Sequence, residues 1–182
     1  MPFSSIVPQE IAAVMSQVAP EEVDRLVQAI MDAEAVYVCG AGRSLLMMKA
    51  FAMRLVHLGL RAYVVGETIT PAIQRGDLLI AGTGSGQTRT TLAMAEGAKE
   101  RQASVVAMTA HADSPIAQSA DLVVQIPAPV PGTAGQPRFS RQPPGSLFEQ
   151  CLLILCDSVV MILMERLGVT EEMMHSRHTK LE

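Results

Sequence analysis

Apolar residues recur at helical spacing over 9–18 and 21–31, with Pro20 between them placed to break or start a helix, so two short helices are expected at the start of the chain. From residue 35 the pattern changes to short apolar, β-rich runs: Ala35-Val36-Tyr37-Val38-Cys39, Arg61-Ala62-Tyr63-Val64-Val65, Asp77-Leu78-Leu79-Ile80-Ala81, Ser104-Val105-Val106-Ala107-Met108-Thr109 and Asp121-Leu122-Val123-Val124-Gln125-Ile126. Helical patterns lie between them at 45–58, at 90–101 and after Ser114-Pro115, a dipeptide that pairs a helix cap with a proline at the first helical position. Near-continuous apolar strands separated by helices predict a parallel sheet covered on both faces. The expected class is therefore α/β, a three-layer sandwich with a five-stranded parallel sheet flanked by helices, flavodoxin-like or Rossmann-like.

The stretch 127–145 holds Pro127, Pro129, Pro131, Pro137, Pro143 and Pro144 with Gly132, Gly135 and Gly145, and reads as a loop. Loops of that length inside a compact domain are more often functional than idle. A last helix is expected over 147–166, apolar nearly all round, which points to oligomer contacts. The chain divides into N-terminal helices (1–34), a parallel α/β core (35–126), the loop (127–145) and a C-terminal helix with its tail (146–182). All belong to one domain, and no internal repeat is visible.

Composition narrows the function. The 182 residues are 49% hydrophobic and 3% aromatic, enough for a core built of aliphatic and Met side chains. The net charge of −4, without clustered Lys and Arg, argues against nucleic acid. Residues 1–10 lack a basic segment followed by an apolar one, so the chain is expected to stay in the cytoplasm. The greasiest run, 151–164, is short for a bilayer and interrupted by Asp157 and Ser158, so no membrane is expected. Cys39, Cys151 and Cys156 are odd in number and lack C-x-x-C spacing, which predicts reduced, buried thiols rather than disulfides or a zinc site.

The densest chemistry lies in Gly82-Thr83-Gly84-Ser85-Gly86-Gln87-Thr88, directly after an expected strand. Alternate glycines allow backbone turns at positive φ and leave amides open to an anion, Thr83, Ser85 and Thr88 surround it with hydroxyls, and the following helix aims its N-terminus at it. The loop has no lysine, so it suits one small phosphate monoester better than a nucleoside triphosphate. Gly40-Ala41-Gly42-Arg43-Ser44 ends the first strand in the same way. Its third dinucleotide-fingerprint glycine is replaced by Leu45, which argues against a nicotinamide cofactor.

These two glycine-rich strand ends, with Thr109 and Ser114-Pro115-Ile116-Ala117 before Ala120-Asp121, resemble the sugar isomerase (SIS) domain over about 36–126. Four further stretches sharpen the match: Lys49-Ala50-Phe51-Ala52-Met53-Arg54-Leu55, Val64-Val65-Gly66-Glu67-Thr68-Ile69-Thr70-Pro71, Gly145-Ser146-Leu147-Phe148-Glu149 and Arg177-His178-Thr179-Lys180-Leu181-Glu182. With them the chain is similar to the 6-phospho-3-hexuloisomerase family over nearly its whole length. The resemblance implies a homotetramer that converts D-arabino-hex-3-ulose 6-phosphate to D-fructose 6-phosphate in the ribulose monophosphate pathway of formaldehyde fixation. It also implies functional coupling to 3-hexulose-6-phosphate synthase. The stretch before Gly145 departs from any recognised family pattern.

On that resemblance Glu149 is the expected base and His178 the expected acid or proton shuttle, acting in its own subunit or a neighbour. Gly42, Arg43, Ser44, Glu67, Thr83, Gly84, Ser85, Gly86, Gln87 and Thr88 form the substrate and phosphate site. No metal and no cofactor are expected. Local readings compete: Ser146-Leu147-Phe148-Glu149 also fits a capping box, Ser44 a helix cap, Arg43 a surface turn and His178 a solvated tail. His175 and His178, three apart, could share a helix face, but no third ligand completes a metal site. Lys49, Arg54 and His57 fit packing or subunit contacts. An aldose-phosphate isomerase acting on arabinose 5-phosphate and a nonenzymatic phosphosugar-binding regulator are the alternative functions.

Overall fold

Strands β1 (Val36–Gly40), β2 (Ala62–Val64), β3 (Leu78–Gly82), β4 (Ser104–Thr109) and β5 (Leu122–Gln125) form one parallel sheet in the order β2-β1-β3-β4-β5. They are seen in a computed structural model that describes residues 2–130 and 140–180. Helices α1 (Phe3–Met15), α2 (Pro20–Asp32), α3 (Gly42–His57), α4 (Arg89–Glu100), α5 (Pro115–Ser119), α6 (Ser146–Leu167) and α7 (Glu171–Ser176) complete the described elements. All five expected strands form, and the sheet is parallel and covered on both faces as the apolar runs predict.

Side chains alternate across the sheet with the period of two, and each strand therefore feeds two cores. Val36, Val38, Leu78, Ile80, Val106 and Met108 face Leu26 and Ile30 of α2, Met48, Phe51 and Leu55 of α3, and Phe148, Leu152 and Leu155 of α6. Tyr37, Cys39, Leu79, Ala81, Val105 and Ala107 face Ala95 and Ala98 of α4 and Ile116 of α5. Small residues on that second face let α4 and α5 lie close to the strands. Burial in the first and second cores pushes the Cys151 thiol up to about 11 and the Cys39 thiol up to about 12. Both are kept as unreactive thiols.

The strand order positions the site. From β1 the chain leaves through α3 to the edge strand β2, then returns to pair β3 on the other side of β1. Connections that diverge from neighbouring strands open a crevice at the strands' carboxyl ends, where α/β folds bind ligands. The segments after β1 and β3, the two glycine-rich stretches, lie at that point. The opposite edge is closed where the Gln125 amide of β5 donates to Glu22 Oε2 of α2 at 2.7 Å.

Several expected boundaries shift. The first helix begins at Phe3 rather than near Gln9 and contains Pro8. The proline forfeits only the bond to the Ser4 carbonyl, and the buried Ile6 anchors the first turns in compensation. The third helix starts at Gly42, three residues before Leu45. Ser114 does precede Pro115, but its hydroxyl donates to the His111 carbonyl at 2.7 Å instead of capping α5. The last helix runs 22 residues with a hydropathy of 2.0, long and apolar enough to cross a bilayer by length and composition. The helix thus extends beyond the 151–164 run and is not too short to span a bilayer, and burial of Leu147, Phe148, Cys151, Leu152, Leu155, Cys156, Val159 and Leu163 assigns α6 to the core. Of the proline-rich loop, 131–139 lie outside the described residues.

Candidate active site

Gly40 and Gly82 pair in register at the ends of β1 and β3, and a Cβ on Gly40 would stand 2.9 Å from the Gly82 carbonyl oxygen. The strands can approach this closely only without a side chain there. Gly42 then turns the chain into α3 at φ +54°, and Ser44 follows in the helix's first turn, so its expected role as a cap does not arise.

After β3 the loop is tied to its neighbours through its carbonyls. Gly84 O accepts from the Ala110 amide at 3.1 Å and from Thr109 Oγ1 at 3.3 Å, and Gly86 O accepts from the Ile116 amide at 3.2 Å. Thr83 Oγ1 lies 3.1 Å from Thr88 Oγ1, and the Gln87 amide donates to Ser85 Oγ at 3.2 Å. With the Gly84 and Gly86 carbonyls held by Ala110, Thr109 and Ile116, the loop is fixed in place directly before the N-terminus of α4, the end of a helix that favours an anion.

The glycines of this loop act differently from the expectation that all three turn at positive φ. Only Gly86 does, at φ +64°. Gly82 and Gly84 are small because their neighbours are close: an added Cβ would meet Met48 Sδ at 2.8 Å and Val130 Cγ1 at 2.8 Å, respectively.

Ser44, Gly84, Ser85, Val130, Gly145, Phe148 and Glu149 together line a cavity of about 240 Å³ at the switch point. Glu149 projects from the first turn of α6 and is ion-paired through Oε2 with Arg43 Nε at the start of α3. The capping box does not form: Ser146 is itself the first helical residue, Gly145 precedes it at φ +86°, and no side chain caps the helix. The Ser146 amide already donates to the Pro143 carbonyl at 3.1 Å, and the guanidinium offers the carboxylate a charged partner instead. Val130 and Phe148 were not expected in the cavity wall as such. Phe148 stood inside the recognised motif, and Val130 had no local signal.

Two expected site residues lie elsewhere in the single chain. Glu67, in the exposed segment after β2, pairs with Lys49 of α3 and does not line the cavity. His178 sits at the far end of α3, its ring 5.1 Å from that of His57. Arg43 and His57 are separated by most of that helix, about 20 Å at 1.5 Å per residue. His178 lines a second cavity of about 400 Å³ with Arg54, His57, Asp157, Met161 and His175. It follows the end of α7 rather than sharing a helix face with His175. Gln87 is exposed at the rim of the loop.

The model of the SIS domain matches residues 29–153, which include both glycine-rich segments and Glu149. The chain belongs to the SIS domain family. This SIS domain is 41% identical over 165 residues to a Bacillus subtilis protein named 3-hexulose-6-phosphate isomerase, covering 91% of this chain and 89% of that one. It is 43% identical over 178 residues to a protein of the same name from Mycobacterium gastri, covering 98% and 89%. Among solved structures, a Methanococcus jannaschii protein whose molecular function is inferred as 3-hexulose-6-phosphate isomerase superposes with a TM-score of 0.86 at 32% identity, covering 98% of each chain.

Proposed function

We propose that this protein isomerises D-arabino-hex-3-ulose 6-phosphate to D-fructose 6-phosphate. The observation that carries the reading is one cavity lined both by the phosphate loop, through Gly84 and Ser85, and by the Glu149 carboxylate. The relatives of that name share the chain over almost its full length.

Moving the carbonyl from C3 to C2 begins with removal of the C2 proton. Glu149 takes it, the electron pair forms the C2–C3 double bond, and the C3 oxygen carries the charge of a cis-enediolate. Return of the proton to C3, with transfer of the O2 proton toward O3, leaves the carbonyl on C2 and completes fructose 6-phosphate. Arg43, beside the base, stabilises the enediolate charge. Thr83, Ser85 and Thr88 hold the phosphate with Ser44, Gly42 and the loop residues Gly84, Gly86 and Gln87. The oxidation of C2 and the reduction of C3 balance within the substrate, so the reaction requires no redox cofactor.

His178 lies too far along α3 to serve the Glu149 of its own chain, and in this reading it moves protons on the sugar oxygens of a neighbouring subunit. The assembly proposed is a homotetramer. Its support is the apolar surface of α3 and α6, where Leu46, Met53, Val56, Ile154 and Met161 stand exposed. Glu67 belongs to the substrate site only as completed by such a neighbour. The enzyme acts in the cytoplasm, in the ribulose monophosphate pathway of formaldehyde fixation, next to 3-hexulose-6-phosphate synthase. Assay of the purified protein with hexulose 6-phosphate tests the reading, with arabinose 5-phosphate as control. Fructose 6-phosphate formed from the first and no ribulose 5-phosphate from the second is the expected result, and the reverse pattern overturns it.

A further inference from the structure

The residues just before the Glu149 helix are held by a single carboxylate from the other end of the chain. Glu10 of α1 accepts from Ser140 Oγ at 2.8 Å and from Gln142 Nε2 at 2.9 Å on Oε2, and from the Arg141 amide at 2.9 Å on Oε1. Ser140 Oγ, which donates to Glu10, in turn accepts from the Gln142 amide at 3.1 Å. The Arg141 guanidinium lies over the Phe3 ring, 5.6 Å from its centroid, so a second residue of α1 holds the same segment. Gln142 is only 7% exposed.

Burial pushes the Glu10 carboxyl up, and the hydrogen bonds from Arg141, Gln142 and Ser140 outweigh it, leaving the group below its ordinary value. The clasp therefore acts on an ionised carboxylate near neutral pH.

Between the clasp and the cavity the chain has little freedom. Pro143 and Pro144 have ring-locked φ, the Ser146 amide returns to the Pro143 carbonyl, and Gly145 turns at φ +86° into α6. Gly145 lines the cavity, and a Cβ there would stand 3.4 Å from Glu149 Oε1. Residues 140–142 are thus joined to Gly145 and the first turn carrying Glu149 by a short, stiff link. The core contacts of Leu147 and Phe148 hold the helix side of this short link, and the clasp holds its entry.

We infer that Glu10 is a positioning residue for the reaction: by clasping residues 140–142 it sets the placement of Gly145 and of the Glu149 carboxylate over the phosphate loop. The inference rests on the assignment of Glu149 as the base. A misplacement of about 1 Å at a reacting group can cost on the order of a hundredfold in rate. Among the described residues the clasp's hydrogen bonds run between Glu10 and residues 140–142 and none goes to the phosphate loop, so binding should be spared.

Two measurements on the full-length protein test it. In Glu10→Ala, amide hydrogen exchange at Ser146, Leu147, Phe148 and Glu149 should accelerate relative to the middle of α6. With hexulose 6-phosphate as substrate, kcat should fall about tenfold or more while KM stays within about threefold. Unchanged exchange overturns the clasp whatever the substrate proves to be. Accelerated exchange with unchanged kcat overturns its part in the reaction, as does a lowered melting temperature with full turnover. Should Glu10→Ala not fold, Ser140→Ala, which removes one of the three hydrogen bonds to Glu10 and the acceptor of the Gln142 amide, must give a smaller kcat loss at constant KM, and full kcat in that variant overturns the inference. Failure of the base assignment shows separately, as full turnover in Glu149→Gln.

Discussion

Arg43 and Glu149, 106 positions apart, form an ion pair that joins the first turns of α3 and α6 across the mouth of the cavity. Arg43 is the outer partner, its side chain 60% exposed, while Glu149 is 14% exposed and faces inward. In the proposed reaction, a carboxylate so placed is shielded from water and has a cation beside it for the enediolate charge.

Glu149→Gln keeps the shape of the side chain but cannot take a proton from carbon. Its kcat is expected to fall by about a hundredfold or more, with the melting temperature little changed because Gln can still accept a hydrogen bond from Arg43, whose own side chain is mostly exposed. The contrasting variant is Ser146→Ala. A capping serine would cost about 1 kcal/mol to remove, and since Ser146 caps nothing, urea unfolding should register less than about 0.5 kcal/mol.

Ser85→Ala removes a hydroxyl from the phosphate loop, along with its bond from the Gln87 amide. KM should rise by an amount equivalent to about 1–3 kcal/mol, the range for a hydrogen bond to a charged group, with kcat changed less. Steady-state kinetics decide it, and an unaltered KM would remove Ser85 from the phosphate site.

Gly86→Ala meets two obstacles at once. The residue would be held at φ +64°, and its Cβ would lie 2.1 Å from Ser114 Oγ and 2.3 Å from Ser114 Cβ. A loss of at least about 1 kcal/mol in denaturant unfolding is expected, together with a raised KM. Parent-like stability and KM would mean that the loop has another conformation in solution.

Light scattering at low micromolar concentration should return an oligomeric mass. Met161, 70% exposed on α6, is the place to perturb it, and Met161→Glu should shift the mass downward. A monomeric parent protein would contradict the assembly.

His57 is held below the ordinary imidazole value by burial first and then by the neighbouring His178 and Arg54. A folded-state value below the unfolded 6.5 means that the unfolded chain takes up the proton first, so the contribution of His57 is full above that pH and declines as acid is added. Melting temperatures from about pH 8 to about pH 5 should therefore fall more in the parent than in His57→Gln. Parallel curves would show that the shift is absent.

The sequence by itself determined the five strands, their parallel arrangement and the two glycine-rich segments at strand ends. Those properties are written in short runs: an apolar stretch bounded by turns, or hydroxyls interleaved with glycine, carries its signal within a few neighbours. Residue types in a motif brought Ser44, Ser85 and Glu149 forward as candidates, and they line one cavity. Only the tertiary structure decided which partner each group takes. Glu149 could bond its own helix start or a distant cation, and the choice went to Arg43 because the chain order β2-β1-β3 lays α3 beside α6. Gly82 and Gly84 look alike with Gly86 in a string of letters, but crowding by Met48 and Val130 explains two of them, and backbone angle together with crowding by Ser114 the third. Glu10 and residues 140–142 gave no local sign of meeting, since a carboxylate on a surface helix has many compatible partners until the fold brings one set of donors within hydrogen-bonding range.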